Sequence, residues 1–162
     1  MKKVILSGGL FLFGLMMHGQ ENKAFNHSIG VGAGFTTGYG LSYRFWPRKI
    51  GAQATFAPFK DESSFQFNIG VTLLYKLIET EKTNLFLYQG NEWYYKSYEL
   101  TYYGNTGPVE KREQDYFHNS IGIGIEFIIL KRVSFNIMGG YASYENFSRI
   151  GFTGETGLYF KF

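Results

Sequence analysis

From residue 25 onward the chain alternates, with apolar side chains at every second position and small or polar ones between. The longest run sets Phe65, Phe67, Ile69, Val71, Leu73, Tyr75 and Leu77 against Gln66, Asn68, Gly70, Thr72 and Lys76. A period of two is the mark of a β-strand, whose successive side chains point to opposite faces. The same pattern predicts strands at 25–35, 39–45, 50–56, 65–77, 117–129, 133–141 and 154–162. A fifth strand in chain order starts near Leu85, and two phasings fit it. If Phe86 and Tyr88 share the apolar face, Glu92 falls on it too. A bulge near Gly90 and Asn91 would instead bring Trp93 and Tyr95 to that face.

The segments between these runs hold the turn formers. Short turns are predicted at 36–38, 47–49, 79–83, 130–132 and 145–149, with a polar connection at 58–63. The longest link, 96–115, follows the fifth strand, and the fifth and sixth strands read as a projecting hairpin over 94–117. Eight strands result, the even count of a single-chain membrane barrel. The predicted fold is therefore all-β, an eight-stranded antiparallel up-and-down transmembrane barrel.

Volume decides which face is inside, because an eight-stranded barrel has an interior only just filled by side chains. The apolar faces carry many Phe, Tyr, Ile and Leu, too bulky to pack together there. Their opposite faces are mostly Gly, Ser, Thr, Asn and Gln, which fit a narrow lumen. Outside the fifth strand the apolar faces hold no charge, as expected where a lipid-facing charge costs roughly 2–4 kcal/mol at the midplane. Arg44, Lys76, Glu126, Glu155 and Lys161 then point into the lumen. Charges in so tight an interior must be paired. The expectation is a polar network centred on Arg44 and Glu126 that blocks a continuous pore. The alternative is a small, charge-selective pore or transporter.

The amino terminus changes the compartment. Lys2 and Lys3 precede an apolar run over 4–17 and then His18-Gly19-Gln20, the layout of a secretory signal peptide. That predicts a signal peptide at 1–19 and a barrel domain at 20–162. The apolar run is shorter than the roughly 20 residues a spanning helix needs. Past residue 20 no apolar stretch reaches that length, so membrane insertion must use strands.

Setting aside Lys2 and Lys3 leaves 14 of the 16 basic side chains against 13 acidic ones. No basic run remains for nucleic acid to bind. The chain has no Cys, so neither disulfides nor a lipid-anchored amino terminus is expected. Two His remain after processing, which leaves no metal-ligand cluster. Gly30, Gly32 and Gly34 have the wrong spacing for a dinucleotide fingerprint, and no cofactor is expected.

The closing stretch narrows the family. Glu155, Gly157, Phe160 and Phe162 resemble the carboxy-terminal strand of outer-membrane β-barrel proteins, a polar residue, Gly, an apolar residue and a terminal aromatic. Over residues 24–162 the chain resembles small barrels of the OmpA transmembrane-domain and OmpX-like kind. That resemblance implies an integral outer-membrane protein, surrounded by outer-membrane lipid and inserted by the barrel-assembly machinery. It makes Gly157, Phe160 and Phe162 the assembly signal and puts both termini in the periplasm. The turns at 47–49, 79–83 and 130–132 would lie inside and the longer links outside. No periplasmic peptidoglycan-binding domain is expected after the last strand.

A structural or surface-interaction role follows, with no enzymatic activity and the outer hairpin as the contact element. Trp93, Tyr94 and Tyr95 fit the aromatic girdle at the membrane boundary. Tyr98, Tyr102 and Tyr103 are candidate contacts for a surface protein or glycan. His118-Asn119-Ser120 resembles the His-x-Ser strand motif of outer-membrane lipid A deacylases, the enzymatic alternative. Glu126 lies more than about 20 Å away along that strand, too far for a triad. The echo between Phe25-Asn26-His27-Ser28-Ile29-Gly30 and Phe117-His118-Asn119-Ser120-Ile121-Gly122 points to strand composition rather than chemistry.

Overall fold

The computed structural model describes residues 25–61, 64–100 and 110–162. The expected signal peptide and the candidate contacts Tyr102 and Tyr103 lie outside the described residues. Eight strands form one closed barrel in chain order: β1 (His27–Gly34), β2 (Gly40–Phe45), β3 (Ile50–Lys60), β4 (Ser64–Glu79), β5 (Thr83–Leu100), β6 (Glu110–Leu130), β7 (Val133–Tyr144) and β8 (Arg149–Lys161). Every neighbouring pair is antiparallel, and β1 closes the ring by pairing Ser28–Gly34 with Glu155–Lys161 of β8. One end carries Phe25, Phe162 and the short turns after β2, β4 and β6. The other carries the long hairpins.

The barrel is inverted relative to a water-soluble protein. Ser42, Arg44, Thr55, Asn68, Thr72, Ser120, Glu126, Ser134, Asn136 and Glu155 are buried inside, while Ile29, Val31, Leu41, Ile69, Leu73, Ile123, Ile137 and Leu158 are exposed outside. Such a surface is stable only against hydrocarbon, and closure of the ring leaves no unpaired edge within it. Rings of aromatics border the band. Phe67 meets Trp93 edge-on at 5.3 Å and Tyr95 at 5.4 Å toward the hairpin end. His27 packs against Phe45 and Phe162 at the turn end.

Three sequence expectations change. In β5 both Phe86 and Tyr88 point inward and are buried, as is Glu92, while Leu87 and Trp93 point outward. No bulge interrupts β5 at Gly90 and Asn91, because the β5–β6 register runs unbroken from Thr83–Phe127 to Leu100–Glu110. Irregularities lie instead in β4, between Lys76 and Ile78, and in β6, between Ile128 and Leu130. The inward Phe86 and Tyr88 join Trp46, Leu74 and Met138 in a small apolar cluster within the lumen. The lumen is thus less uniformly polar than the alternation suggests. Gly124 gives Phe86 its room, since a Cβ there would meet the ring.

Tyr94 also leaves the expected girdle. Its hydroxyl donates to Gln66 Oε1 inside the mouth at 3.2 Å, while Tyr95 stays outside. Tyr39 likewise turns to the mouth, where its hydroxyl accepts from Gln66 Nε2. The outward phase of β5 places Gln89 and Asn91 beside Asn119 on the lipid-facing wall. Their amides bond one another at 2.7–3.0 Å, which offsets part of the cost of facing hydrocarbon.

Candidate functional site

The buried charged residues of the lumen lie in two layers. In the layer nearer the turn end, Glu126 on β6 is the hub. Its Oε1 accepts from Arg44 Nη1 at 3.1 Å and Ser134 Oγ at 2.9 Å. Its Oε2 accepts from Asn84 Nδ2 at 2.7 Å and Lys161 Nζ at 3.0 Å. Four donors from four strands converge on one carboxylate because β2, β5, β7 and β8 each present an inward residue at that height. Arg44 is 1% exposed and gives Nε and Nη2 to Gln53 Oε1. Its guanidinium also lies over the Tyr159 ring at 4.1 Å. A buried ion pair is tolerated when further hydrogen bonds surround it, and here each guanidinium nitrogen and both Glu126 oxygens have a partner.

Lys76 stands apart from this hub. It pairs with Glu79 at 2.6 Å and lies over Trp46. With Arg48, Lys49 and Lys131 it borders a cavity of about 530 Å³ at the turn end. Among the described residues these last three cations have no ion pair.

The second layer holds Glu155, which does not contact Arg44 or Glu126. Its partners come from the β1–β2 connection, which folds into the barrel instead of lying on the surface. Thr36 Oγ1 donates to Glu155 Oε1 at 2.6 Å and Thr37 Oγ1 to Oε2 at 2.7 Å. Thr153 completes the set on Oε1. Thr36 is fully buried and also contacts Ser120 Oγ at 2.6 Å.

The inward turn requires glycine on both sides. Gly38 and Gly40 have φ of +79° and +116°, a region other residues enter only at a cost. Gly70 faces the loop, and a Cβ there would run into the Thr37 carbonyl. The sequence shows Thr36-Thr37-Gly38 as a turn. Its direction is invisible without the facing Gly70 and Gly90.

His118 and Ser120 share a face of β6 but take different partners. His118 Nδ1 lies 3.2 Å from both Glu92 Oε2 and the Phe35 carbonyl. The carbonyl can only accept, so the contact with Phe35 assigns a donor to this nitrogen. Ser120 lies deeper, 1% exposed and beneath Thr36. A nucleophile needs a base within hydrogen-bond reach and access to substrate, and this pair has neither. Above it, Ala33, Gly34, Phe35, Tyr39, Glu92, Tyr94, Tyr116, His118, Glu145 and Gly154 enclose a mouth cavity of about 580 Å³.

Beyond the mouth β5 and β6 continue as a paired hairpin. β6 meets β7 only from Asn119 onward, and the β7–β8 turn caps Phe117 through Asn146. That turn is strained, with Glu145, Asn146 and Phe147 all at positive φ. Among the described residues, 113–116 have no ladder partner on the β7 side. Tyr98 sits on the hairpin opposite Arg112 and Ser64, with Lys96 Nζ 5.5 Å from its ring. The assembly-signal candidates lie in β8 or at its end. Gly157 faces the lumen beside Tyr159, whereas Phe160 and Phe162 fall on the outward phase. Phe162 bonds backbone to backbone with His27.

No family model matches the chain, and no curated protein matches it. Among solved structures it is similar to the N-terminal β-barrel domain of OprF from Pseudomonas aeruginosa. The two share 12% identity at a TM-score of 0.55, covering 86% of this chain and 100% of that one. A major outer membrane protein from Thermus thermophilus is similar at 12% identity and a TM-score of 0.52, covering 84% of this chain and 98% of that one. The chain therefore has the fold of small outer-membrane β-barrels.

Proposed function

We propose that this chain is an outer-membrane barrel with a closed lumen, acting at the cell surface through its β5–β6 hairpin rather than by transport or catalysis. The observation that carries this reading is the open backbone edge of β6 over residues 113–116, held outside the barrel by its pairing with β5. An unpaired edge accepts a strand from a partner by backbone hydrogen bonding. Lys111, Glu113 and Asp115, on and beside this segment, keep the edge from pairing indiscriminately and leave it selective for a charged partner. Tyr98 of the same hairpin suits a protein or glycan surface, and Tyr102 and Tyr103, just after it in sequence, are candidates for the same contact.

Closure rests on the two layers around Glu126 and Glu155, which place side chains from all around the wall across the axis. The hairpin end faces outward and the turn end the periplasm. Outer-membrane lipid covers the apolar band. Insertion uses the barrel-assembly machinery, with Gly157, Phe160 and Phe162 as its signal.

Two measurements test this. Refolded protein in planar bilayers shows no stable openings; steady conductance overturns the closed lumen. Cells displaying the full chain bind a surface protein, a glycan or one another, and removing residues 95–115, which takes out the edge, abolishes binding while the barrel keeps its heat-modifiable gel mobility. Unchanged binding by that variant overturns the surface role.

A further inference from the structure

Charge is divided along the barrel axis. The turn half holds Arg44, Lys76 and Lys161 against Glu79 and Glu126, with Arg48, Lys49 and Lys131 at its rim, so cations are in excess there. The hairpin half holds buried Glu92 and Glu155 inside, and Glu145 at its rim. No Lys or Arg borders the mouth cavity. Arg149 comes no closer than 4.0 Å to Glu145 and stays exposed.

Glu155 is satisfied by threonine hydroxyls. Glu92 is 4% exposed, and its partner is His118. Glu92 thus turns its carboxyl group, with Oε2 held beside His118, to a cavity whose walls are aromatic. Tyr94 and Tyr116 stack at 6.5 Å, and Tyr116 stacks on His118 at 6.3 Å.

We propose that this cavity binds a small organic ammonium ion. An ammonium group shielded by carbon needs a carboxylate for its charge and aromatic faces for its polarised C–H shell. Glu92 supplies the first and Tyr94 and Tyr116 the second. An anion would find no Lys or Arg in the lining. A bare divalent cation wants about six oxygen ligands, which one carboxylate in an aromatic pocket does not provide. The volume lies within the usual range of roughly 300–1,000 Å³ for small-ligand pockets.

The cavity has a side as well as a top. The β1–β8 ladder stops at Gly34 and Glu155, so 149–154 of β8 pair with β7 alone. Gly34, Phe35 and Gly154 at that step border the cavity. The ammonium group therefore comes either from a free solute or from a lipid headgroup. This inference stands independently of the hairpin edge.

The test uses the full chain refolded in a glucoside detergent, since choline-headed detergents would compete. Choline, glycerophosphocholine and the neutral isostere 3,3-dimethyl-1-butanol are titrated by calorimetry and by amide chemical shifts. Saturable choline binding is expected, with shifts at Glu92, Tyr94 and Tyr116, and the isostere should bind at least about tenfold more weakly. Glu92→Gln should weaken choline by a similar factor. Should that variant fail to fold, Tyr116→Leu takes its place and loses affinity by about fivefold. Tighter binding of glycerophosphocholine than choline identifies a headgroup as the source; the reverse identifies a free solute. The proposal is overturned if neither cation saturates, if the isostere binds as well as choline, or if the shifts map to Trp46 and Lys76.

Discussion

Glu126→Ala is the sharpest test of the lumen. The substitution deletes the acceptor of four hydrogen bonds and leaves two cations without their counter-charge. The two cations respond differently. Arg44 is 1% exposed and enclosed by Gln53, Tyr159 and Trp46, so its guanidinium is held at the base of the turn-end cavity and cannot extend into bulk water. Lys161 has a side chain 15% exposed at the turn-end cavity and can extend toward solvent on its flexible stem.

The loss is therefore dominated by Arg44. Removing one partner of a buried pair costs about 3–5 kcal/mol. With a urea slope of about 2 kcal/mol per molar, the unfolding midpoint should fall by about 1.5–2.5 M in vesicles, followed by tryptophan fluorescence. The double variant Arg44→Met/Glu126→Leu removes both charges and should recover most of that loss. If Glu126→Ala shifts the midpoint by less than about 0.3 M, or if the double variant is worse than the single, the pairing argument fails.

The glycines and the outer wall give further predictions. Gly70→Ala pushes a methyl into the Thr37 carbonyl and should cost about 1–3 kcal/mol, raising hydrogen exchange at 36–38. Gly154→Ala points a methyl into open space and should stay within about 0.5 kcal/mol of the parent in the same titration. On the outside, Ile137 is 50% exposed in the middle of β7. Ile137→Arg should destabilise the barrel in bilayers by about 2–4 kcal/mol, measured by urea unfolding in vesicles. A neutral result would show that this wall does not face hydrocarbon.

The sequence alone determined the architecture, because a period of two is local. Each residue's face follows from its neighbours, and the contrast between bulky apolar and small polar sides settles which faces lipid. Arg44, Glu126, Glu155 and Lys161 were readable as inward for the same reason. Strand five was not, since Phe86, Tyr88 and Glu92 share one phase. Choosing it required knowing that Gly124 leaves space for the Phe86 ring and that His118 stands across from Glu92.

What only the tertiary structure decided is pairing across the lumen. Whether Glu155 joins Arg44 or a separate layer depends on the relative height of strands far apart in sequence. That height is set by the ring's register, not by any local pattern. The inward fold of Thr36 and Thr37 is likewise a contact between a turn and distant glycines. The mouth cavity comes from chain length in space: β1 and β2 are short where β5, β6 and β8 run on. Its carboxylate and its aromatic walls then meet across strands that no local period relates.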